Sequence, residues 1–162
     1  MMNTTNNTFA ADVIRGLRES PKRLYPKYFY DSEGNKLFQE IMESPEYYVT
    51  DCEMEIFTEQ AAELSRQITG ADQSFDLIEL GPGDCSKTIF LLRQLYTDRI
   101  SFSYLPIDIS QDIIDNLEIT LPVEIPGKTI KGYRGEYIKM LEKAVKESSR
   151  RKVVLCLGAN IG

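Results

Sequence analysis

Histidine is missing from all 162 residues. The chain therefore supplies no imidazole base and no His-ligated metal site. Cysteine is scarce: Cys52, Cys85 and Cys156 are scattered, odd in number and without metal-ligand spacing. Neither a disulfide framework nor a metal site is expected from them, and a reducing cytoplasm is the expected location. No apolar run is long enough to span a bilayer, which excludes a helical membrane span. The start, Met1-Met-Asn-Thr-Thr-Asn-Asn-Thr8, lacks the basic-then-apolar order of a signal peptide. Without export, the glycosylation patterns Asn3-Thr-Thr5 and Asn6-Asn-Thr8 carry no meaning. Positive charge is in deficit, with 19 Lys and Arg against 25 Asp and Glu and a formal charge of −6. That leaves no basic footprint, so nucleic acid is not an expected partner. Internal repeats and low-complexity linkers are absent as well.

What is present is an ordinary globular composition, 42% hydrophobic and 27% charged, in a chain long enough for one sizeable core. It is organised around Phe75-Asp-Leu-Ile-Glu-Leu-Gly-Pro-Gly-Asp-Cys-Ser-Lys-Thr88. Leu77, Ile78 and Leu80, interrupted by Glu79, predict a buried parallel strand. The run breaks at Gly81-Pro82-Gly83 and resumes from Thr88 to Leu95 with helical spacing. Strand, glycine turn and helix open a βαβ unit, and open α/β sheets bind ligands at the carboxyl ends of their strands. The glycines admit a ligand close to the backbone, and the helix start offers unpaired N–H groups.

Which ligand is a separate question. A P-loop, G-x-x-x-x-G-K-[ST], is missed by one position, because Ser86 stands where the second Gly belongs. A dinucleotide fingerprint, G-x-G-x-x-G, fails at the same residue. An S-adenosylmethionine motif, apolar, acidic, apolar, Gly-x-Gly, fits Glu79-Leu-Gly-Pro-Gly83, with Cys85 in place of a third Gly. A carboxylate at Glu79 repels a polyphosphate but suits a ligand carrying an ammonium and a sulfonium. A tight turn that binds nothing is the bland alternative.

Before this stretch, residues 1–70 form a helical amino-terminal segment. The first eight residues are expected to be disordered. A helix over Phe9–Arg18 puts Phe9, Val13, Ile14 and Leu17 on one face. Pro21 and Pro26 hold an extended segment, Glu33–Glu43 is helical with Leu37, Phe38 and Ile41 together, and residues 46–50 are a loop. Thr50-Asp-Cys-Glu53 matches a capping box, so a third helix is expected from there to about Ile68. Residues 71–162 then alternate as a Rossmann-like, doubly wound α/β domain. Ser101–Asp108 is the second strand, followed by a helix from Gln111 to about Leu117, with Pro122 and Pro126 interrupting the connection. Lys128–Tyr133 is a short third strand, and Glu136–Ser149 a helix facing Tyr137, Met140, Leu141, Ala144 and Val145 inward. Lys152–Leu157 is an apolar fourth strand buried on both faces.

Other residues carry chemistry by position. Asp108 ends the second strand, where adenosyl and dinucleotide sites place an acid on ribose hydroxyls; capping the next helix explains an Asp there equally well. Glu136 and Tyr137 stand at the adenine corner of such a site, although a Glu in a first helical turn is favoured by the helix dipole alone. Lys87 can reach a ligand carboxylate or remain solvated. Five of the nine tyrosines lie between positions 25 and 48, as packing or as a lid.

Tyr28-Phe-Tyr-Asp31, Lys36-Leu-Phe38, Pro45-Glu-Tyr-Tyr48, Glu79-Leu-Gly-Pro-Gly83 with Ser86-Lys-Thr88, Pro106-Ile-Asp-Ile-Ser110 and Leu157-Gly-Ala-Asn-Ile-Gly162, in this order, resemble the histidine-specific Nα-methyltransferase family. The resemblance implies a class I methyltransferase sheet with strand order 3-2-1-4, S-adenosylmethionine as cofactor, and methylation of an amino acid's α-amino group, histidine first. It assigns Gly81, Lys87 and Asp108 to the cofactor, with Glu79 and Gly83 in the same motif. Glu136 and Tyr137 fall where the family has an Asp-Phe pair at the adenine. Tyr47 and Tyr30 match tyrosines near the amino-acid substrate. No catalytic acid–base residue and no metal ligand is implied. The resemblance also implies that a family member continues beyond Gly162 with a substrate-holding asparagine and a further domain. This chain alone is therefore expected to be inactive; the alternative readings are a truncated, non-catalytic domain that binds an adenosyl ligand or a partner, and a P-loop-like nucleotide-binding enzyme. With the sheet cut after strand four, Val153 to Leu157 is expected at an open edge, pairing with a second copy as a homodimer.

Overall fold

The computed structural model describes residues 4–29, 31–70 and 74–158. Its centre is a parallel sheet. β1 (Ser74–Leu80) pairs on one side with β2 (Ser101–Asp108), setting Ser74 opposite Ser101 and Leu80 opposite Ile107. On the other side it pairs with β5 (Arg151–Cys156), setting Phe75 opposite Arg151 and Leu80 opposite Cys156. The predicted third strand forms as two pieces, β3 (Thr129–Ile130) and β4 (Tyr133–Arg134), both parallel to β2. The order β3-β2-β1-β5 is the expected one, β5 being the predicted fourth strand.

The strands' period of two divides the core. Phe75, Leu77, Phe102 and Tyr104 are buried on one face, against α5 (Thr88–Thr97) and α6 (Gln111–Glu124). Ile78, Leu80, Leu105 and Ile107 are buried on the other, against Tyr133 and Ala144 of α7 (Tyr137–Lys146). Asp76 is buried among them and is neutralised by Arg150 and Lys152, each at 3.2 Å. The split in the third strand has a cause. The Gly132 N–H donates to Glu118 Oε1 of α6 at 2.7 Å instead of joining the sheet, and a Cβ there would come within 2.3 Å of Ile114.

α6 extends past the expected end near Leu117 and runs through Pro122, which was expected to lie in the connection after the helix. A helix-interior proline costs about 3 kcal/mol. Leu117, Leu121 and Ile125 are each almost fully buried on the same helix face, worth about 1.5–3 kcal/mol apiece, so burial outweighs the proline. α7 is shorter than predicted, and Val145 is 44% exposed rather than inward. Its end is diverted into the turn entering β5, where the Arg150 N–H donates to Ser148 Oγ and Lys152 donates to the Ser148 carbonyl. β5 is not buried on both faces: Val154 is 43% exposed, while Val153 and Leu155 pack on the core.

The amino-terminal segment departs further from expectation. α1 (Thr4–Arg18) starts before Phe9 and includes residues expected to be disordered. Once a turn is nucleated, Thr and Asn cost less than about 0.7 kcal/mol each as helical extensions. Its expected inner face is exposed, with Phe9, Ile14 and Leu17 each about half accessible, while Asp12 and Gly16 face the protein. The Asp12 carboxylate sets that orientation by gathering Arg15, Lys27 and Tyr28. Within the expected extended segment, residues 22–25 are irregular and Pro26–Phe29 form a 3-10 turn. α2 (Ser32–Met42) begins at Asp31, whose carboxylate accepts from the Gly34 N–H at 2.8 Å. α3 (Val49–Glu59) and α4 (Ala61–Thr69) replace the single third helix, broken at Gln60. The expected capping box does not form: Tyr48 is the N-cap, and Thr50 Oγ1 is buried without a hydrogen bond. The Glu53 carboxylate is engaged elsewhere. No helix of the described residues is long and apolar enough to cross a membrane.

Candidate functional site

A cleft opens at the carboxyl ends of β1 and β2, where a parallel sheet is expected to bind its ligand. Its floor is the glycine turn. The Gly81 N–H donates to the Ile107 carbonyl at 2.9 Å, extending the sheet by one residue before the chain leaves it. Gly81 at φ +66° and Gly83 at φ +58° take the left-handed region that side chains avoid. At Gly83 a Cβ would meet nothing within 4 Å, so open space lies above the turn. Cys85, in the third glycine position, is also left-handed at φ +61°, with its sulfur buried 3.7 Å from the Tyr104 hydroxyl. Burial raises that thiol well above its ordinary pKa, which keeps it protonated and inert.

Glu79 lies beneath the turn, 2% exposed, and accepts hydrogen bonds from Thr88 Oγ1 at 2.7 Å and from the Tyr104 hydroxyl. Burial pushes its pKa up, against the pull of those two donors. It contributes to the cleft lining, yet its oxygens are committed to the protein, so it braces strand, helix and turn. Asp108 ends β2, 7% exposed, and its Oδ1 accepts the Ser110 N–H at 2.8 Å. Burial raises this pKa as well, opposed by the backbone N–H groups of Ser110 and Ile109. Ser110, not Asp108, is the N-cap of α6, which leaves Asp108 at the cleft.

Tyr137 lines the cleft from the start of α7, with Ile109 and Ile113 as apolar neighbours. Glu136, its N-cap, is not among the lining residues. Its carboxylate is exposed and held by Lys27 at 3.0 Å and Lys139 at 2.6 Å. Those two cations, Lys139 foremost, lower its pKa. Tyr47 lines the mouth edge-on to Phe38 of α2, ring centroids 6.3 Å apart. Tyr30 lies outside the described residues.

Lys87 lines the cleft, and its ammonium is paired with Glu53 of α3. Glu53 Oε1 also accepts the N–H of Gly158, just after β5, at 2.7 Å. Sequence reasoning missed Glu53 as a site residue because the T-x-x-E spacing that signals a capping box accounted for it locally. Phe38, Met42 and Gly158 of the wall were missed too, since nothing local ties α2 or the segment after β5 to the glycine turn.

Four acids, Glu53, Glu79, Asp84 and Asp108, and a single lysine line the cleft among the described residues. Asp84 also occupies the Ser86 N–H at 2.9 Å, one of the donors that a phosphate loop would need. The donor set thus opposes a polyphosphate and suits a ligand that carries positive charge on an adenosyl body. Open space over Gly83, a buried acid at the end of β2, apolar walls and one ion pair together fit S-adenosylmethionine.

Comparison with known proteins agrees. The profile of a family described as "Histidine-specific methyltransferase, SAM-dependent" matches residues 9–162. A histidine N-alpha-methyltransferase of Mycolicibacterium smegmatis is 36% identical over 151 residues, 93% of this chain and 45% of that protein. One from Mycobacterium tuberculosis is 32% identical with the same coverage. An N-methyltransferase of Aspergillus fumigatus is 28% identical over 138 residues, 83% of this chain and 37% of that protein. The chain thus spans under half the length of these curated relatives.

Proposed function

This chain belongs to the histidine-specific, SAM-dependent methyltransferase family, and from that membership we propose that it carries the S-adenosylmethionine site of an enzyme that methylates the α-amino group of an amino acid, histidine being the first candidate. The single observation that carries the reading is the cleft at the carboxyl ends of β1 and β2, with its left-handed glycine turn and acid-rich lining. The bound cofactor would supply a methyl group made electrophilic by a sulfonium. The residues' work is alignment and exclusion of water. Lys87 takes the cofactor's carboxylate, Asp108 accepts from the ribose hydroxyls, and Tyr137 with Ile109 and Ile113 walls the adenine. Tyr47 borders the side from which the amine approaches. The reaction forms the N–CH3 bond as the C–S bond breaks, and the amine must shed its proton before its lone pair can attack. No residue of this chain is assigned as a catalytic acid or base. Two exposed thiols, Cys52 and Cys156, suit a reducing cytoplasm.

Titration calorimetry with S-adenosylmethionine, S-adenosylhomocysteine and ATP tests the reading. Both adenosyl compounds are expected to bind, and ATP to bind weakly or not at all. Tight ATP binding with no response to either adenosyl compound would overturn it in favour of a nucleotide-phosphate site.

A further inference from the structure

The Glu53–Lys87 ion pair does not behave like a surface salt bridge. Both side chains are largely enclosed, 18% and 22% accessible, and both line the cleft. The two come from different parts of the fold. Glu53 sits on α3 of the amino-terminal segment, and Lys87 is the N-cap of α5 at the end of the glycine turn. Glu53 is further fixed by the Gly158 N–H, so its carboxylate bridges α3, the turn and the segment after β5. An anion and a cation side by side in a cleft are complementary to a ligand that bears the same two charges in the same neighbourhood. The α-amino-acid end of an adenosyl cofactor is such a group.

We propose that Glu53 is a specificity-determining residue that, with Lys87, recognises the zwitterionic end of the cofactor: the ion pair opens, the α-carboxylate goes to Lys87 and the α-ammonium to Glu53. This rests on the adenosyl reading above. The exchange conserves charge, since one ion pair is traded for two and no buried carboxylate or ammonium is left unpaired. A mere competitor for Lys87 would be expelled from the cleft by the incoming carboxylate. Glu53 has a reason to stay, because its second oxygen is already anchored on Gly158. Through it the amino-terminal helices sense whether the cofactor carries an amino-acid end.

The test is calorimetry on the chain and on Glu53→Gln, which keeps an acceptor for the Gly158 N–H and removes the charge. The ligands are S-adenosylhomocysteine, its analogue lacking the α-amino group, and 5′-methylthioadenosine, which lacks the whole amino-acid end. Glu53→Gln is expected to weaken S-adenosylhomocysteine about tenfold or more, the scale of one charge-assisted hydrogen bond. It should leave 5′-methylthioadenosine unchanged. In the unsubstituted chain, removing the ligand's amino group should cost a similar factor, and the two losses should not add. Tighter binding of S-adenosylhomocysteine by Glu53→Gln would show that Glu53 only blocks Lys87, and would overturn the proposal. Equal weakening of all three ligands, with a lower melting temperature of the unliganded variant, would reduce Glu53 to a strut. Unchanged affinities would also refute it. Failure of the unsubstituted chain to bind any adenosyl compound is a different result and removes the adenosyl reading itself. Should the variant not fold, the comparison of the three ligands on the unsubstituted chain still decides: equal affinity with and without the amino group is a refutation.

Discussion

At the scale of single residues, the glycine turn was the most legible part of the molecule, because Gly-Pro-Gly breaks the apolar run of β1 at once and Gly81 and Gly83 take the left-handed backbone that favours glycine. Cys85 shows what such a motif hides. Read as a departure from a third glycine, it keeps the left-handed backbone of that glycine while spending its side chain on the core beside Tyr104. A non-glycine residue pays about 1–2 kcal/mol for that conformation. Removing the sulfur as Cys85→Ala forfeits burial and keeps the strain, whereas Cys85→Gly forfeits the buried Cβ as well but relieves the strain. The expectation is that Cys85→Gly melts higher than Cys85→Ala, the reverse of the usual order for alanine and glycine. Thermal melts of the pair decide it; an alanine variant equal to or above the glycine variant would mean that the backbone there relaxes freely. Glu53 was illegible for the opposite reason: a satisfied local pattern concealed a long-range partner.

At the scale of elements, strands and core helices followed from periodicity, whereas the orientation of α1 did not. An apolar stripe of Phe9, Val13, Ile14 and Leu17 predicts its own burial, yet the buried stripe contains Asp12 and Gly16. A carboxylate meeting three donors from two segments decided the docking, and hydrophobic periodicity carries no signal for such a polar contact. The Asp12 network also links α1 to the sheet domain, since Lys27 bonds both Asp12 at 2.8 Å and Glu136 at 3.0 Å. The hydrogen bonds from Lys27 and then Tyr28 hold the Asp12 pKa below its ordinary value. For a carboxyl depressed in the folded state, the stabilisation is present above the unfolded pKa, about 3.9, and is lost as pH falls through the folded one. Hydrogen-exchange protection of the α1 amides is therefore expected to fall on acidification below about pH 4. Asp12→Asn should show the loosened helix already at neutral pH and little further change in acid. Equal protection in both proteins at neutral pH would mean that α1 is held by its apolar contacts, such as Phe9 against Tyr28 at 4.8 Å.

At the scale of the whole molecule, strand–helix alternation after Phe75 was enough to order the sheet, and among the described residues β5 is its last strand on that side. How costly the edge is could not be read in advance, because it depends on which side chains the neighbouring helices cover. If Val153, Val154, Leu155 and Leu157 were all uncovered, they would forfeit roughly 6–12 kcal/mol. In the structure Val153, Leu155 and Leu157 pack on the core, and Val154 alone among the four is exposed, at 43%. That reduces the deficit to about 1 kcal/mol, within what a single domain of ~5–15 kcal/mol can bear. The charges at the head of the strand are committed inward, Lys152 to Asp76 and Arg151 to the carbonyls of Ile68 and Thr69, so they do little to repel a partner strand. Among the described residues β5 pairs with β1 alone, and its outer backbone groups form an unblunted edge. We therefore expect two-fold self-association along β5 that is weak and concentration-dependent, driven by backbone pairing rather than by a large apolar area. Val154→Lys places a charge on the exposed face of that edge without touching the core. Sedimentation equilibrium should show association that rises with concentration in the unsubstituted chain and is abolished by Val154→Lys at an unchanged melting temperature. A concentration-independent monomer in both proteins would mean that the edge is not sticky, and dimers that persist in Val154→Lys would place the interface elsewhere.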